Sequence, residues 1–129
     1  MKKNVLIISQ KLYGGGAERT ASNLSLFLQK EYNIHLAVFD GTDTKYPYGG
    51  QFHDLKCPAR KGAFGKIFNI CKRIHAINKI KRDENIAATI SLLPPSNFIN
   101  VLTRNSDRII TSIRIQTSKS RFDNVSSKI

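Results

Sequence analysis

The sequence predicts an α/β protein with a Rossmann-like parallel sheet flanked by helices. Short apolar runs rich in β-branched residues alternate with longer stretches whose apolar residues recur at helical spacing. This alternation is typical of β-α-β units joined by crossover helices. The first apolar run also leads through Gly14, Gly15 and Gly16 into a helical pattern. A length of 129 residues corresponds to about one domain with its own core.

The N-terminal half predicts two buried strands around one helix. NVLIIS at 4–9 is a continuous apolar run, which favours a central strand covered on both faces. A helix is predicted over about 16–31 and a second buried strand over 33–40. GTDTKYPYGG at 41–50 is dense in turn formers and predicts a loop, and a short third strand follows at 51–56. The apolar face of the helix comprises Ala17, Ala21, Leu24 and Leu28.

The C-terminal half predicts two more helices and two more strands. The second helix covers about 64–83, IAATISLL at 86–93 is the fourth strand, and RIITSIRI at 108–115 is the fifth. Between these strands, a short helix begins at Pro94–Ser96, where proline is tolerated, and continues to 104. The second helix is expected to bury one apolar stripe against the sheet: Phe64, Ile67, Phe68, Cys71, Ile74, Ile77 and Ile80.

The domain boundary is placed where the apolar periodicity fades. Residues 1–115 are assigned to one Rossmann-like domain, and 116–129 to an irregular tail with four serines and no clear period. A doubly wound domain ordinarily continues with further helices, so we expect the chain to stop before a second domain.

Composition and charge restrict the class of protein. With 40% hydrophobic and 23% charged residues the chain resembles a soluble globular protein, and its apolar runs are too short for a membrane span or a signal peptide. Cys57 and Cys71 lack zinc-ligand spacing, which favours a reduced cytoplasmic protein and predicts no metal. The net charge of +12 should attract polyanions: phosphorylated ligands, anionic lipid or nucleic acid.

The glycine stretch predicts an anion site. A loop between a strand and a helix directs free helix N–H groups into the crevice at the carboxyl edge of a parallel sheet, and glycines let the backbone come close to a phosphate or sugar. The alternative is that the glycines only make a tight turn. A P-loop is excluded because Ala17-Glu18-Arg19 follows where Gly-Lys-Ser/Thr is needed.

A nicotinamide site remains an alternative interpretation. Gly14 and Gly16 fit the start of the G-x-G-x-x-G fingerprint, but Arg19 replaces the third glycine. Asp40 lies where the ribose-binding carboxylate is expected, although we favour its interpretation as a strand-end turn residue before Gly41.

Two segments resemble family 4 glycosyltransferases. VLIIS followed by the YGGGAER loop at 13–19 is similar to the opening strand and Gly-Gly-Ala-Glu-Arg loop of that family, and IITSIRIQTS at 109–118 is similar to a later strand and loop at its interdomain cleft. The resemblance implies one half of a GT-B architecture. It further implies metal-independent, retaining transfer of a hexosyl group from a nucleotide-sugar, with no cofactor besides that donor.

The resemblance also implies substrate-binding residues but no catalytic one. Gly14, Gly15 and Gly16 would border the donor diphosphate or the acceptor, and Arg19 would lie just inside the first helix. The matching residues at the end of the fifth strand, beside the acceptor, are Ser112 and Arg114.

The histidines depart from the family's pattern. Many relatives place a histidine at the cleft, whereas His35, His53 and His75 fall on two strands and a helix, where packed or surface roles are expected.

The chain is therefore expected to be an acceptor-binding portion that is inactive alone. In the family the first domain mainly binds the acceptor, and a second domain, or a partner chain, would supply the groups that hold the nucleotide diphosphate. The expected acceptor is a glycan or polyisoprenoid-linked molecule in cell-surface polysaccharide synthesis.

The second helix combines its stripe with many positive charges, as membrane-surface helices do. We expect the stripe to face the sheet and the charged face to attract anionic lipid headgroups without insertion. The residues of that face are Lys66, Lys72, Arg73, Lys79, Lys81 and Arg82. A nucleic-acid-binding module is the other class that the charge allows, but Tyr13, Tyr46 and Tyr48 cluster around loops and no known module pattern is present.

Overall fold

The computed structural model describes residues 2–58 and 61–112. These residues form five strands and three helices in alternating order. The elements are β1 (Asn4–Ser9), α1 (Gly16–Leu28), β2 (Asn33–Val38), β3 (Gln51–Asp54), α2 (Ala63–Asp83), β4 (Ala88–Ser91), α3 (Pro94–Leu102) and β5 (Arg108–Thr111).

All five strands are parallel and lie in the order β3-β2-β1-β4-β5. The predicted Rossmann-like α/β fold is therefore confirmed. The first strand lies at the centre, as its uninterrupted apolar sequence indicated, and Leu6, Ile7 and Ile8 are completely buried. Predicted segments were longer than the observed ones: β2 ends at Val38, β4 covers only Ala88–Ser91, and α1 ends at Leu28. The proposed tail at 116–129 lies outside the described residues.

The two faces of the sheet have separate cores. Side chains alternate along β1, so Val5 and Ile7 pack on the α1 face whereas Leu6 and Ile8 pack on the opposite face under α2 and α3. Ala17 and Ala21 bring α1 close to the sheet, as predicted. The main buried members on the α2–α3 face are Leu6, Ile8, Ala37, Phe39, Ile77, Ile86 and Ile99.

The orientation of α2 differs from the prediction along its first two turns. Ile74, Ile77 and Ile80 do pack on the core. Phe64, however, is 90% exposed, and Ile67 is more than half exposed. The residues that turn toward the sheet or the neighbouring elements are Asn69, Ile70, Arg73, Ile74, Ile77, Ile80 and Lys81. The predicted stripe mixed two faces of the helix, because hydrophobicity alone does not distinguish an apolar residue in the core from one on the surface.

A buried ion pair joins the end of α2 to the turn before β5. Lys81 Nζ lies 2.9 Å from Asp107 Oδ2, and both side chains are fully enclosed. Lys81 also donates to Asn100 Oδ1 at 2.9 Å, and Thr89 Oγ1 donates to Asp107 Oδ2 at 2.6 Å. The prediction that Lys81 belongs to a surface charged face was therefore wrong, since the acidic partner is 26 residues distant and had no recognisable pattern.

The pair extends into a network of polar groups inside the fold. Asn100 Nδ2 donates to Ser91 Oγ at 3.0 Å and to the Thr89 carbonyl oxygen at 3.3 Å. Ser91 in turn donates to Asn97 Oδ1 at 2.7 Å. Thr89 and Ser91 lie two residues apart on β4, so their side chains share one face of the sheet; Asp107 pairs with the Thr89 hydroxyl, and the asparagines of α3 pair with the Ser91 hydroxyl.

Protonation equilibria of the pair reflect its burial. Burial raises the pKa of Asp107, but hydrogen bonds from Thr89, from the Asn105 N–H and from Lys81, together with the Lys81 charge, outweigh it and leave that pKa below its usual value. Burial lowers the pKa of Lys81, and Asp107 partly offsets this effect. Each partner thus depends on the other to remain charged inside the fold.

Removing one member of the pair should therefore destabilise the protein strongly. We expect Lys81→Met to lower the free energy of unfolding by about 3–5 kcal/mol, because the Asp107 carboxylate loses its buried counter-charge. Lys79→Met, on the exposed face of the same helix, should change it by less than about 0.5 kcal/mol. Urea unfolding monitored by circular dichroism measures both. Equal, small effects would show that Lys81 contributes no more than a surface lysine.

A second polar contact within the sheet joins β2 to β3. His35 Nδ1 lies 3.0 Å from His53 Nε2, and His35 Nε2 lies 3.9 Å from Glu84 Oε2 at the end of α2. Burial lowers the pKa of both histidines, the charge of His35 lowers the His53 pKa further, and Glu84 opposes these effects. The two rings pack against one another as neutral partners, so both have structural roles, as expected.

Stability should fall as the solution is acidified through this pair's titration. The unfolded histidines, with a pKa near 6.5, bind protons that the folded pair resists, so the folded state is progressively disfavoured as the pH falls below about 6.5. His53→Gln should flatten the dependence of the unfolding midpoint on pH between about 7 and 5. His75→Gln, on the exposed face of α2, is the matched control and should retain it. The same slope in all three proteins would contradict this origin.

Candidate functional site

The order of the strands creates a crevice at the carboxyl edge of the sheet. The chain runs from β1 through β2 to β3 on one side of the sheet and then crosses back to β4 on the other side of β1, so the topological switch point lies between β1 and β4. Ligands of parallel α/β sheets bind at this place. Here the loop after β1 leads to the N-terminus of α1 at Gly16, and β4 leads within two residues to the N-terminus of α3 at Pro94. Both helix N-termini therefore border the switch point, but α3 begins with two prolines that have no N–H, so the free backbone donors come mainly from α1.

A cleft of about 380 Å³ opens at this edge. The loop after β1 supplies Lys11 and Tyr13, the end of β2 supplies Asp40, and the helices supply Arg73 and Pro95. The Lys11 ammonium lies 4.4 Å from the centre of the Tyr13 ring, which holds the lysine beside the glycine loop. The remaining lining residues are Gln10, Phe39, Cys57 and Pro58.

Arg73 lines the cleft and does not belong to an exposed charged face of α2. Its guanidinium lies 4.1 Å from the centre of the Phe39 ring, and Nη2 donates to the Cys57 carbonyl oxygen at 3.0 Å. Nε is buried without a hydrogen-bond partner among the described residues. The guanidinium is thus fixed at the cleft by stacking and one hydrogen bond, and retains an unused donor.

Ser96, near the switch point, is a further polar residue whose hydroxyl has no hydrogen-bond partner among the described residues. It is the third residue of α3, and only 1% of its surface is exposed. Its Oγ makes no hydrogen bond within the described part of the chain. A buried hydroxyl at a helix N-terminus is suited to bind water or an anionic ligand. Sequence reasoning missed Ser96, whose only distinguishing feature there is its place after two prolines.

The three glycines have three different roles. Gly14 adopts φ +89°, which only glycine takes readily, and its carbonyl oxygen accepts a hydrogen bond from Tyr46 Oη at 3.0 Å. A Cβ atom on Gly15 would clash with the carboxylate of Glu18. The space over Gly16 is open, with no heavy atom within 4 Å of a Cβ placed there. Two of the glycines are thus explained by the fold itself, and Gly16 alone leaves room for a ligand.

The side chain of Glu18, in the first turn of α1, packs against the glycine loop at Gly15. Glu18 is the third residue of α1 and is 5% exposed, with its carboxylate folded back against the N-cap residue Gly15. A carboxylate at this position complements the positive end of the helix dipole. The N-terminus of α1 therefore already has an anionic group of its own, and an external anion has to approach it from the Gly16 side.

Arg19 lies outside the cleft, on the side of the 41–50 loop. It is exposed, and its guanidinium lies 5.1 Å from the centre of the Tyr46 ring. Tyr46 also holds Gly14, and its N–H donates to the Leu12 carbonyl oxygen at 3.0 Å. In the described structure Arg19 therefore stabilises the contact between the two loops.

Ser112, which the sequence assigned to the end of the fifth strand, does not line this cleft. Ser112 follows β5 at the carboxyl edge, where its N–H donates to the Ser91 carbonyl oxygen at 2.9 Å and its own carbonyl oxygen accepts from Asn97 Nδ2 at 3.2 Å. Its backbone thus extends the β4–β5 pairing. Arg114 lies outside the described residues.

The basic residues of α2 are divided among four environments. Lys66, Lys79 and Arg82 are exposed, as predicted. Lys72 Nζ donates to the Lys56 carbonyl oxygen at 2.9 Å, so it anchors the chain after β3. Lys81 is buried, and Arg73 lines the cleft.

No described group of three or more histidine, cysteine, aspartate or glutamate residues could hold a metal ion. Within the same residues, no helix is both long and apolar enough to cross a membrane. The chain matches no protein-family model and no curated protein. Any function for the cleft is therefore argued from its residues and geometry.

Alanine substitution should separate the structural glycines from the open one. Gly14→Ala forces a residue with a Cβ atom into a left-handed conformation and should cost about 1–2 kcal/mol of stability. Gly16→Ala, at the first helical position with free space, should leave stability unchanged or raise it by up to about 1 kcal/mol. Thermal unfolding of the two variants tests the assignment, and a larger loss for Gly16→Ala would reverse it.

Proposed function

We propose that this chain is the acceptor-binding portion of a family 4, GT-B glycosyltransferase. In this proposal the whole enzyme moves a sugar from a nucleotide-sugar to a glycan or lipid-linked acceptor in cell-surface polysaccharide synthesis. The observation that carries the proposal is the cleft at the carboxyl edge of the sheet, which is lined by the cations Lys11 and Arg73 and by Tyr13, the residue directly before the glycine loop and the N-terminus of α1. These groups suit a phosphorylated ligand.

The residues of the cleft suggest separate contributions to binding. Lys11 provides a flexible charge beside the loop, whereas Arg73 provides a fixed planar donor set. The open backbone at Gly16 permits close approach of a phosphate or sugar oxygen. Ser96, the third residue of α3, would add a hydroxyl near the switch point, whereas the two prolines before it have no N–H to donate. Together they would bind and orient the acceptor, which is the part of catalysis that depends on positioning.

Sugar transfer also requires groups that stabilise the departing diphosphate. The family resemblance places those groups in a second domain or a partner chain, so no residue described here is assigned a catalytic role. In this arrangement the cleft would face the donor-binding half, and closure of the two halves would exclude water from the reacting atoms.

The nicotinamide alternative is weakened by the environment of Asp40. Asp40 Oδ1 accepts a hydrogen bond from the Thr42 N–H at 3.0 Å, an arrangement typical of a turn-forming aspartate. The carboxylate therefore has a structural partner within its own loop.

Binding of diphosphates tests the proposal directly. We expect farnesyl diphosphate, a soluble analogue of a lipid-linked acceptor, to bind the 129-residue chain in isothermal titration calorimetry. Lys11→Gln and Gly16→Val should each weaken binding about tenfold or more, because they remove a charge and fill the open space. Lys30→Gln, an exposed lysine following α1, is the matched control and should have no effect.

Two results would contradict the proposal. One is farnesyl diphosphate binding that none of these substitutions alters. The other is tight binding to duplex DNA that has a steep salt dependence and is not displaced by diphosphate, which would favour a nucleic-acid-binding module.

The reading frame after Ile129 and the neighbouring genes offer an independent check, since we expect a second βα domain with two glutamates about eight residues apart in one of them.

A further inference from the structure

Exposed apolar side chains lie on both α2 and α3, two helices that contact one another. Phe64 and Ile67 lie three residues apart and share one face of α2, near its N-terminus. Phe98, Val101 and Leu102 have the same i, i+3, i+4 spacing on α3. Each of these five side chains is at least half exposed, and Phe64 is 90% exposed. We call these five residues the α2–α3 ridge.

The ridge adjoins the candidate cleft. A groove of about 330 Å³ separates the two helices, lined chiefly by the apolar residues Ile70, Pro95, Phe98 and Ile99. Arg73 and Pro95 line both this groove and the cleft. A surface that covers the ridge would therefore lie beside the entrance to the cleft.

The surroundings of the ridge carry one sign of charge. Residues 61–82 contain seven lysines and arginines and no aspartate or glutamate, and four of the seven are exposed: Lys61, Lys66, Lys79 and Arg82. Lys66 lies between the ridge residues of α2, and Arg104 follows α3 directly; both are exposed. Lys79 and Arg82 continue the exposed positive face toward the end of α2. An apolar strip bordered by cations is complementary to an anionic lipid surface.

The shape of the ridge favours a bilayer over a folded protein. Phe64 projects almost entirely from the surface, and a protein partner would need a preformed pocket to enclose it. Lipid chains accommodate projecting side chains without such a pocket, while the surrounding lysines remain at the headgroups.

We propose that the α2–α3 ridge inserts into the headgroup and upper acyl region of an anionic bilayer. The sequence suggested binding to the lipid headgroups without insertion. Insertion takes its place here because Phe64 and Ile67 of α2 are exposed instead of packing on the sheet. This inference rests on the proposed function in one respect: it makes the acceptor of the cleft a lipid whose headgroup is presented at that surface. The docking itself requires no sugar or nucleotide.

Tryptophan fluorescence tests the insertion. The chain contains no tryptophan, so a single substitution provides a specific probe. In Phe64→Trp we expect a blue shift and quenching with vesicles containing brominated phosphatidylglycerol, and neither with phosphatidylcholine vesicles. Phe27→Trp is the control, because Phe27 is also exposed but lies on α1, across the sheet. It should show no quenching.

Sedimentation with the same vesicles tests whether the ridge causes the binding. Phe64→Ser combined with Ile67→Ser should reduce the partition coefficient for phosphatidylglycerol vesicles at least tenfold, whereas Phe27→Ser should leave it unchanged. Circular dichroism spectra confirm that each variant is folded, and a folded Phe64→Ser single variant replaces the double one if that variant unfolds.

Three outcomes would overturn the inference. These are binding without quenching of the Phe64→Trp probe, equal quenching of the Phe27→Trp control, and a lipid-independent blue shift that grows with protein concentration, which would identify the ridge as a contact between two copies. Because the vesicles contain no diphosphate-linked acceptor, failure here leaves the diphosphate result intact, and failure of diphosphate binding leaves vesicle docking intact.

Discussion

The buried contact between Lys81 and Asp107 is the constraint on which the second half of the fold depends. It brings together the last turn of α2, the turn before β5 and the hydroxyl of Thr89 on β4. Two charges enclosed in an apolar layer would be costly apart, so these elements are stable only in the arrangement that pairs them. The asparagines of α3 then complete the hydrogen bonds of β4. The position of α3, and with it one border of the cleft, follows from this polar network more than from apolar packing.

The other border of the cleft depends on loops held by backbone contacts. The 41–50 loop is fixed to α1 through Ser22, which donates to the Pro47 carbonyl oxygen, and through Ser25, whose Oγ accepts the Gly49 N–H at 3.0 Å. Tyr46 then supports the glycine loop at Gly14. The two sides of the switch point are thus rigid for different reasons, which leaves the Gly16 surface accessible between well-ordered elements.

The elements could be predicted from sequence because each depends on a local pattern. Apolar runs identified the strands, and the glycines and prolines identified where α1 and α3 begin. What could not be predicted depends on contacts between distant residues. Lys81 has the same local sequence context as the exposed Lys79, and only the position of Asp107 makes it a core residue. Phe64 has the same hydrophobicity as Ile77 but lies beyond the part of α2 that the sheet covers.

The location of the candidate site could be predicted from the sequence, but most of the residues that line it could not. The loop after β1 was recognised from its glycines, yet Gly15 is explained by the carboxylate of Glu18 and Gly14 by its backbone angle. Lys11 and Arg73 line one cleft only through the fold, since they belong to two separate segments. Sequence patterns locate the loops of a parallel sheet well, but the side chains that meet over it come from elements far apart in the chain.

The attachment of β5 has a consequence for how the protein opens. Among the described residues, the two apolar clusters draw on the other strands and on the helices, whereas β5 is attached through its backbone pairing with β4 and through Asp107 and Asn97. Such an edge is the natural first unit to separate in a partial unfolding event. Acid that protonates Asp107 would release this strand while the β1–β2 core stays folded. The molecule therefore has a stable core and an edge strand that separates more easily.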